Sequence, residues 1–184
     1  MTIPGKKSWQ DEVRWYVMRA HKSEKKAEEC LAENGQMEFY IPKRYVVRQF
    51  HGVKSKRLVP VIPEMVFLRA SHRQIVDFKK LNNFLQFVIW NKSTGPECLT
   101  VPDVQMEDFI RVTSNPDADT LFLRPEEVNI RQGARVRILG GELDGVCGLF
   151  MKVKGKRNKR LVILLDGVLA VAADVRPDLV QVID

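Results

Sequence analysis

Apolar and polar positions along this chain change period several times, and each change marks an element. Val13 to Arg19 (VRWYVMR), crowded with β-branched and aromatic residues, predicts a strand. Ser23 suits the N-cap of a helix running through Ala32, with Glu24 in its first turn. That helix has a narrow apolar face of Ala27, Cys30 and Leu31, and Gly35 stops it. Met37 to Ile41 and Tyr45 to Phe50 read as short strands split by Pro42, with His51-Gly52 in a turn. Arg57 to Arg69 is extended but interrupted by Pro60 and Pro63, which argues for an edge or a bend. A second helix starts at Ser71 and carries Ile75, Phe78 and Leu81 inward. Phe84 to Trp90 predicts an apolar strand, 91–97 a turn, and Leu99 with Val101 strand again. Pro102-Asp103 then opens a third helix bearing Val104, Phe109 and Ile110. The order β-α-β-β-β-α-β-β-α implies an α+β domain, an antiparallel sheet with helices packed against it.

Ser114 to Asp119 (SNPDAD) offers turn residues and no apolar anchor. The expected division is therefore a tail over 1–12, a first domain over 13–113, a linker over 114–125, with Thr120 to Leu123 an early start to the second domain, and a second domain over 126–184. In the last of these, Val136 and Ile138 alternate with Arg137 and Leu139 before Gly140-Gly141, and Gly145 and Gly148 follow. Leu149 to Val153 predicts a strand leading into a basic loop, Lys154 to Arg160. Leu161 to Leu165 and Val168 to Ala172 flank Asp166-Gly167, a favoured hairpin turn. Such closely spaced strands and glycine turns predict a small β-barrel.

With 184 residues, 45% of them apolar and 29% charged, the chain should fold rather than stay disordered. No apolar run approaches the ~20 residues that span a bilayer, and MTIPGKKSWQ lacks the apolar core of a secretory signal, so a cytoplasmic location off the membrane is expected. Cys30, Cys98 and Cys147 lie far apart, which fits buried thiols in a reducing cytosol better than a disulfide framework. The net charge of +7 is concentrated: Lys43 to Arg57 holds six basic residues and no acid, and Lys152 to Arg160 holds six in nine positions. Clusters of that kind raise the local affinity for phosphate.

Chemistry of the enzymatic sort finds no footing. His21, His51 and His72 have no metal-ligand spacing. The glycines of 140–148 lack the Gly-Lys-Ser/Thr of a phosphate loop, and there is no Gly-x-Ser-x-Gly elbow. Neither catalysis nor a metal or cofactor is expected.

Val136 to Gly148, with its G-x-x-x-G-x-x-G, resembles the KOW motif of NusG-type transcription factors and some ribosomal proteins. Upstream, Arg14-Trp-Tyr-Val17 resembles the opening strand of the NusG N-terminal domain, and Glu24 to Leu31 (EKKAEECL) its first helix. Phe39-Tyr-Ile-Pro42 lies where that family ends a strand in apolar-x-Pro, and Val61 to Leu68 (VIPEMVFL) where it usually has Phe-Pro-Gly-Tyr before an apolar strand. The resemblance covers roughly residues 13–184 and implies a NusG N-terminal-like domain followed by an SH3-like KOW β-barrel. Pro63-Glu64-Met65 replaces the usual Pro-Gly-Tyr. That departure, with Val-Pro-x-Ile-Pro at 59–63, VPDVQMEDFI at 101–110 and Leu-Ala-Val-Ala at 169–172, is most similar to the specialised UpxY-type paralogues of long polysaccharide operons.

The resemblance implies an elongation or antitermination factor, monomeric, that binds RNA polymerase without covalent chemistry and suppresses pausing or termination. By position it assigns Tyr16, Ile62, Met65 and Trp15 to the polymerase clamp helices, which require apolar anchors left exposed on a rigid sheet. It brings Arg19, His21, Lys22, Lys25 and Lys26 toward non-template DNA or nascent RNA, and Ser71, His72 and Arg73 toward the β-subunit gate loop. Leu143 and Asp144, between the KOW glycines, would meet a small-subunit ribosomal protein or Rho. The alternative is a KOW-containing RNA-binding or ribosome-associated protein, which accounts for the barrel and the basic charge but not for Trp15-Tyr16 or the 101–110 block.

Overall fold

The computed structural model describes residues 8–21, 24–129, 131 and 133–183. They form two compact units, Met1–Ile41 with Ile62–Asp103, and Pro42–Val61 with Val104–Asp184. The class is α+β with antiparallel sheets, as the sequence implied.

In the first unit, β1 (Val13–Ala20) is central: it pairs with β5 (Met65–Ser71), β6 (Leu85–Phe87) and β9 (Thr100–Val101), while β2 (Glu38–Tyr40) extends the sheet beyond β5. Helices α1 (Glu24–Asn34) and α2 (His72–Leu81) cover one face. Ala27 and Leu31 from α1 and Ile75 from α2 pack there with Tyr16, Met18, Val66, Leu68 and Leu85, all buried. The α2 terminus is a capping box: the Gln74 N–H donates to Ser71 Oγ at 3.2 Å, and Gln74 Oε1 accepts from the Ser71 N–H at 2.9 Å.

Several expectations for this unit need correction. Leu81, the last residue of α2, is 91% exposed, because the inward spacing outruns the helix. The segment 84–90 is divided, and 91–97 is not merely a turn. Strand β7 (Ile89–Lys92) folds back on β8 (Gly95–Cys98) as a separate hairpin. The proposed N-cap Ser23 lies outside the described residues.

In the second unit, β3 (Lys43–Phe50) and β4 (Val53–Pro60) form a ribbon of their own. Helix α3 (Asp103–Thr113) buries Met106, Phe109 and Val112 rather than Val104, which is exposed. Six strands then make one antiparallel sheet in the order β10-β14-β13-β12-β11-β15. They are β10 (Thr120–Leu123), β11 (Ala134–Ile138), β12 (Cys147–Lys152), β13 (Lys159–Leu165), β14 (Leu169–Ala173) and β15 (Val180–Val182). Met151, Val162, Ala170 and Ala172 are core, with Leu121 and Leu123 packed against them.

The stretch 114–125 is therefore not a bare linker, since β10 within it pairs with β14. Its polar part is anchored too. Buried Arg160 donates to the Asp119 carbonyl at 2.7 Å and to the Asp119 carboxylate. That bond also shortens the expected basic loop, because Lys159 and Arg160 belong to β13. The Asp166-Gly167 hairpin has three connecting residues, not two: Leu165 pairs with Leu169, and Gly167 takes φ 73°.

Candidate functional site

The β1 terminus, the start of α1 and the turn before β5 meet at one corner of the first unit. Arg19 on β1 pairs with Met65 on β5, so the residue expected to face nucleic acid stands opposite one expected to face polymerase. The Ile62–Met65 turn is tied at three points. The Glu64 carbonyl accepts from the Ala20 N–H at 2.7 Å, the Glu64 N–H donates to Glu24 Oε1 at 2.6 Å, and the Met65 N–H donates to the Ile62 carbonyl at 3.4 Å. Glu64 has φ 64°, a left-handed backbone that favours glycine and costs an L-residue roughly 1–2 kcal/mol. Ile62 and Met65 are half-buried on this stiff frame.

Arg19, His21, Lys25 and Lys26 are exposed around the same corner, whereas Lys22 lies outside the described residues. Lys25 pairs with Glu29 one helical turn on, at 3.6 Å, and the Lys26 ammonium sits 4.9 Å from the centre of the Phe84 ring. The His21 N–H donates to the Phe84 carbonyl at 3.2 Å, which pins the chain where it leaves the sheet. The arrangement supplies cations around a half-apolar turn, chemistry suited to a surface that holds a phosphate backbone beside an apolar partner.

Trp15 and Tyr16 do not belong to that surface. Each is 3% exposed, against the expectation that Tyr16 faces outward. Alternation places one neighbour on each face of a sheet, but here both faces of β1 are covered, from Trp15 through Met18. Tyr16 packs edge-on to Phe87 at 5.6 Å, and burial pushes its hydroxyl above the ordinary tyrosine pKa.

At the head of α2, Ser71 is buried and its hydroxyl is committed to the cap. His72 stacks on Phe87 with ring centres 5.0 Å apart and lies 5.1 Å from Trp9. Arg73 pairs with Asp11 at 3.0 Å. The segment Trp9–Asp11, a single 3-10 turn started by Ser8, thus lies on His72 and Arg73, two of the three residues expected to touch the gate loop. Sequence reasoning left it in a tail. The Ser8-x-x-Asp11 pattern before the first strand was the available signal.

In the second unit the Gly140–Gly145 loop is closed by its own polar groups. The Asp144 carboxylate accepts from the Gly140 N–H, the Gly145 N–H donates to the Ile138 carbonyl at 2.8 Å, and the Asp144 carbonyl accepts from Arg111 of α3. Asp144 therefore shapes the loop, while Leu143 beside it is half-buried instead of fully exposed. A second tie runs from the Cys147 N–H to Asp108 Oδ2 at 3.3 Å, and burial raises the pKa of that carboxyl.

A stiff frame presenting half-exposed apolar and basic side chains defines a binding protein of the α+β class. Residues 13–110 match the family described as transcription termination factor nusG, and the chain belongs to the NusG family. That family consists of transcription factors, not enzymes, and membership gives this protein a general role in transcription elongation or termination. No curated protein sequence matches the chain significantly. Among solved structures, one of Thermotoga maritima NusG, concerned with its domain interaction, is similar at a TM-score of 0.43 and 16% identity, covering 94% of this chain and 98% of that one. Among the described residues no helix is long and apolar enough to cross a membrane.

Proposed function

We propose that this NusG-family protein binds RNA polymerase through Ile62 and Met65 and suppresses pausing or termination, serving a polysaccharide-type operon. In this reading the Ile62–Met65 turn docks on the clamp helices, while Arg19, His21, Lys22, Lys25 and Lys26 meet non-template DNA or nascent RNA. His72 and Arg73 approach the β-subunit gate loop, and Leu143 serves a small-subunit ribosomal protein or Rho. The observation that carries the proposal is the turn itself. Glu64 stands where the family usually has glycine, yet it keeps a left-handed backbone at φ 64°, with hydrogen bonds to Ala20 and Glu24 holding it there. The turn thus holds a left-handed residue without glycine, and Met65 offers an adaptable apolar contact in place of the aromatic ring. The 59–63, 101–110 and 169–172 sequence blocks support the polysaccharide-operon assignment.

The test is Met65→Glu, measured by binding to core polymerase and by readthrough at a distal terminator. A carboxylate in a desolvated contact should cost about 2 kcal/mol or more, roughly thirtyfold in Kd. A correctly folded variant that binds polymerase as tightly as the parent protein would refute the proposed interface.

A further inference from the structure

The β3–β4 ribbon carries the acid-free basic run, and nothing in the polymerase reading uses it. Its register sorts the six cations by face. Arg44, Val46, Arg48 and Phe50 share one face with Val53, Ser55, Arg57 and Val59, while Lys43, Tyr45, Val47, Lys54, Lys56 and Leu58 share the other. Arg57 lies opposite Val46, midway between Arg44 and Arg48. The three guanidiniums therefore follow one another at two-residue steps, about 6.7 Å apart along the ribbon. That interval is close to the step between neighbouring phosphates on one nucleic-acid strand.

All three arginines are exposed, and among the described residues no carboxylate pairs with any of them. On the other face Lys56 covers the Tyr45 ring at 4.0 Å and reaches Asp117 at 2.7 Å. The tip is a tight turn, with His51 at φ 47° and Gly52 at φ 80°. Phe50 and Val53 flank it, 74% and 70% exposed. Two strands alone are marginally stable in water, so a ribbon that pairs with no third strand gains from a partner that lies along it.

We propose that the β3–β4 ribbon is a duplex-DNA contact that lies along the major groove. The Arg44–Arg57–Arg48 row takes successive phosphates of one strand, with exposed Phe50 and Val53 continuing that face at the tip, and Lys54 faces the opposite backbone. The dimensions favour DNA. The B-form major groove, about 12 Å wide, admits a two-stranded β-ribbon. The A-form major groove of double-stranded RNA is too narrow for side chains to read. Cations on both faces suit a cleft whose two walls are both anionic. The inference rests on the polymerase reading only for the source of the duplex.

The experiment uses the full chain without polymerase and a fluorescent 20-base-pair DNA duplex, titrated across salt concentrations, with the same sequence as single-stranded DNA and as double-stranded RNA. The parent protein should bind the DNA duplex most tightly. Arg44→Ala, Arg48→Ala and Arg57→Ala together should reduce the salt slope by about 0.9 for each phosphate released, about 2.7 in all, and weaken binding at least tenfold. Arg48→Glu alone gives a second reading in the same direction should the triple variant fold poorly. An unchanged slope in a folded variant overturns the proposal, as does equal or tighter binding of the single strand or of double-stranded RNA. Polymerase binding is measured separately with the same variants. Loss of duplex binding with polymerase binding retained supports the ribbon site independently of Met65, and failure of Met65→Glu to weaken polymerase binding leaves the duplex result standing.

Discussion

Strands β1 and β3 are each eight residues long, yet Trp15 to Met18 of β1 are sealed while Val47 and Phe50 of β3 are 62% and 74% exposed. Both contain valine and aromatic residues. What separates them is the number of neighbours. β1 is hydrogen-bonded along both edges, to β5 on one side and to β6 and β9 on the other, whereas β3 has β4 alone. A strand with partners on both sides and helices over one face becomes core. A strand with one partner stays at the surface, and its arginines remain available to a ligand. Apolar content in a strand therefore does not by itself decide burial.

The widest test of this contrast is to remove one apolar side chain from each strand. Met18→Ala, at a position with no exposure, should cost about 2–5 kcal/mol. Phe50→Ala should stay within about 0.5 kcal/mol. Urea unfolding of the two variants compares them directly, and similar losses would mean that the ribbon is packed after all.

Glycines sharpen the same comparison at the level of the backbone. A Cβ at Gly148 in β12 would lie 2.7 Å from the Val162 carbonyl oxygen of β13 and 2.9 Å from Ile163 Cδ1. Gly148→Ala should therefore cost about 1–3 kcal/mol through forced displacement of a paired strand. At Gly52, on the ribbon tip, a Cβ meets nothing within 4 Å, and only its φ of 80° resists substitution. Gly52→Ala should cost about 1 kcal/mol from that conformation alone. Thermal melting of the pair should rank Gly148→Ala as the more damaging. The reverse order would contradict the close strand contact.

The smallest effect concerns pH. Arg160, and after it Lys156, hold the Asp119 carboxyl below the usual aspartate range. Its folded pKa lies under its unfolded one, so its contribution is full above about pH 4 and is lost as pH falls through the folded value. Asp119 is itself exposed, so solvent screening keeps the effect modest. Asp119→Asn should flatten the acid limb of the stability profile and leave its slope near neutrality unchanged. An acid limb identical to the parent's would remove Asp119 from the account.

Local signals were legible and distant pairings were not. Ser71 announced the start of α2, His51-Gly52 the ribbon turn, and Asp166-Gly167 the last hairpin, because each is settled within four residues. Strand β10 was legible only as an apolar start to the second domain, because its partner, β14, lies some fifty residues later. Tyr16 was misplaced for a related reason: alternation assumes a wet face, and no local signal reveals that both faces of β1 are covered. The corner at Glu64 was half legible. Its position was marked by Pro63, but its backbone depends on hydrogen bonds from Ala20 and to Glu24, each some forty residues away.

The Asp119 clasp on Arg160 has a consequence for how the second sheet coexists with other proteins. Every residue of β14 is buried, and its outer margin is covered by the four residues of β10. Without that cover, a continuous apolar strand would present unpaired N–H and C=O groups to any other extended chain, an open template for aggregation. Asp119 immediately precedes β10, and its bonds to buried Arg160 on β13 fix where that short strand begins. One ion pair at the head of a four-residue strand thus helps fix which strand forms the sheet's edge, a short one in place of the fully buried β14.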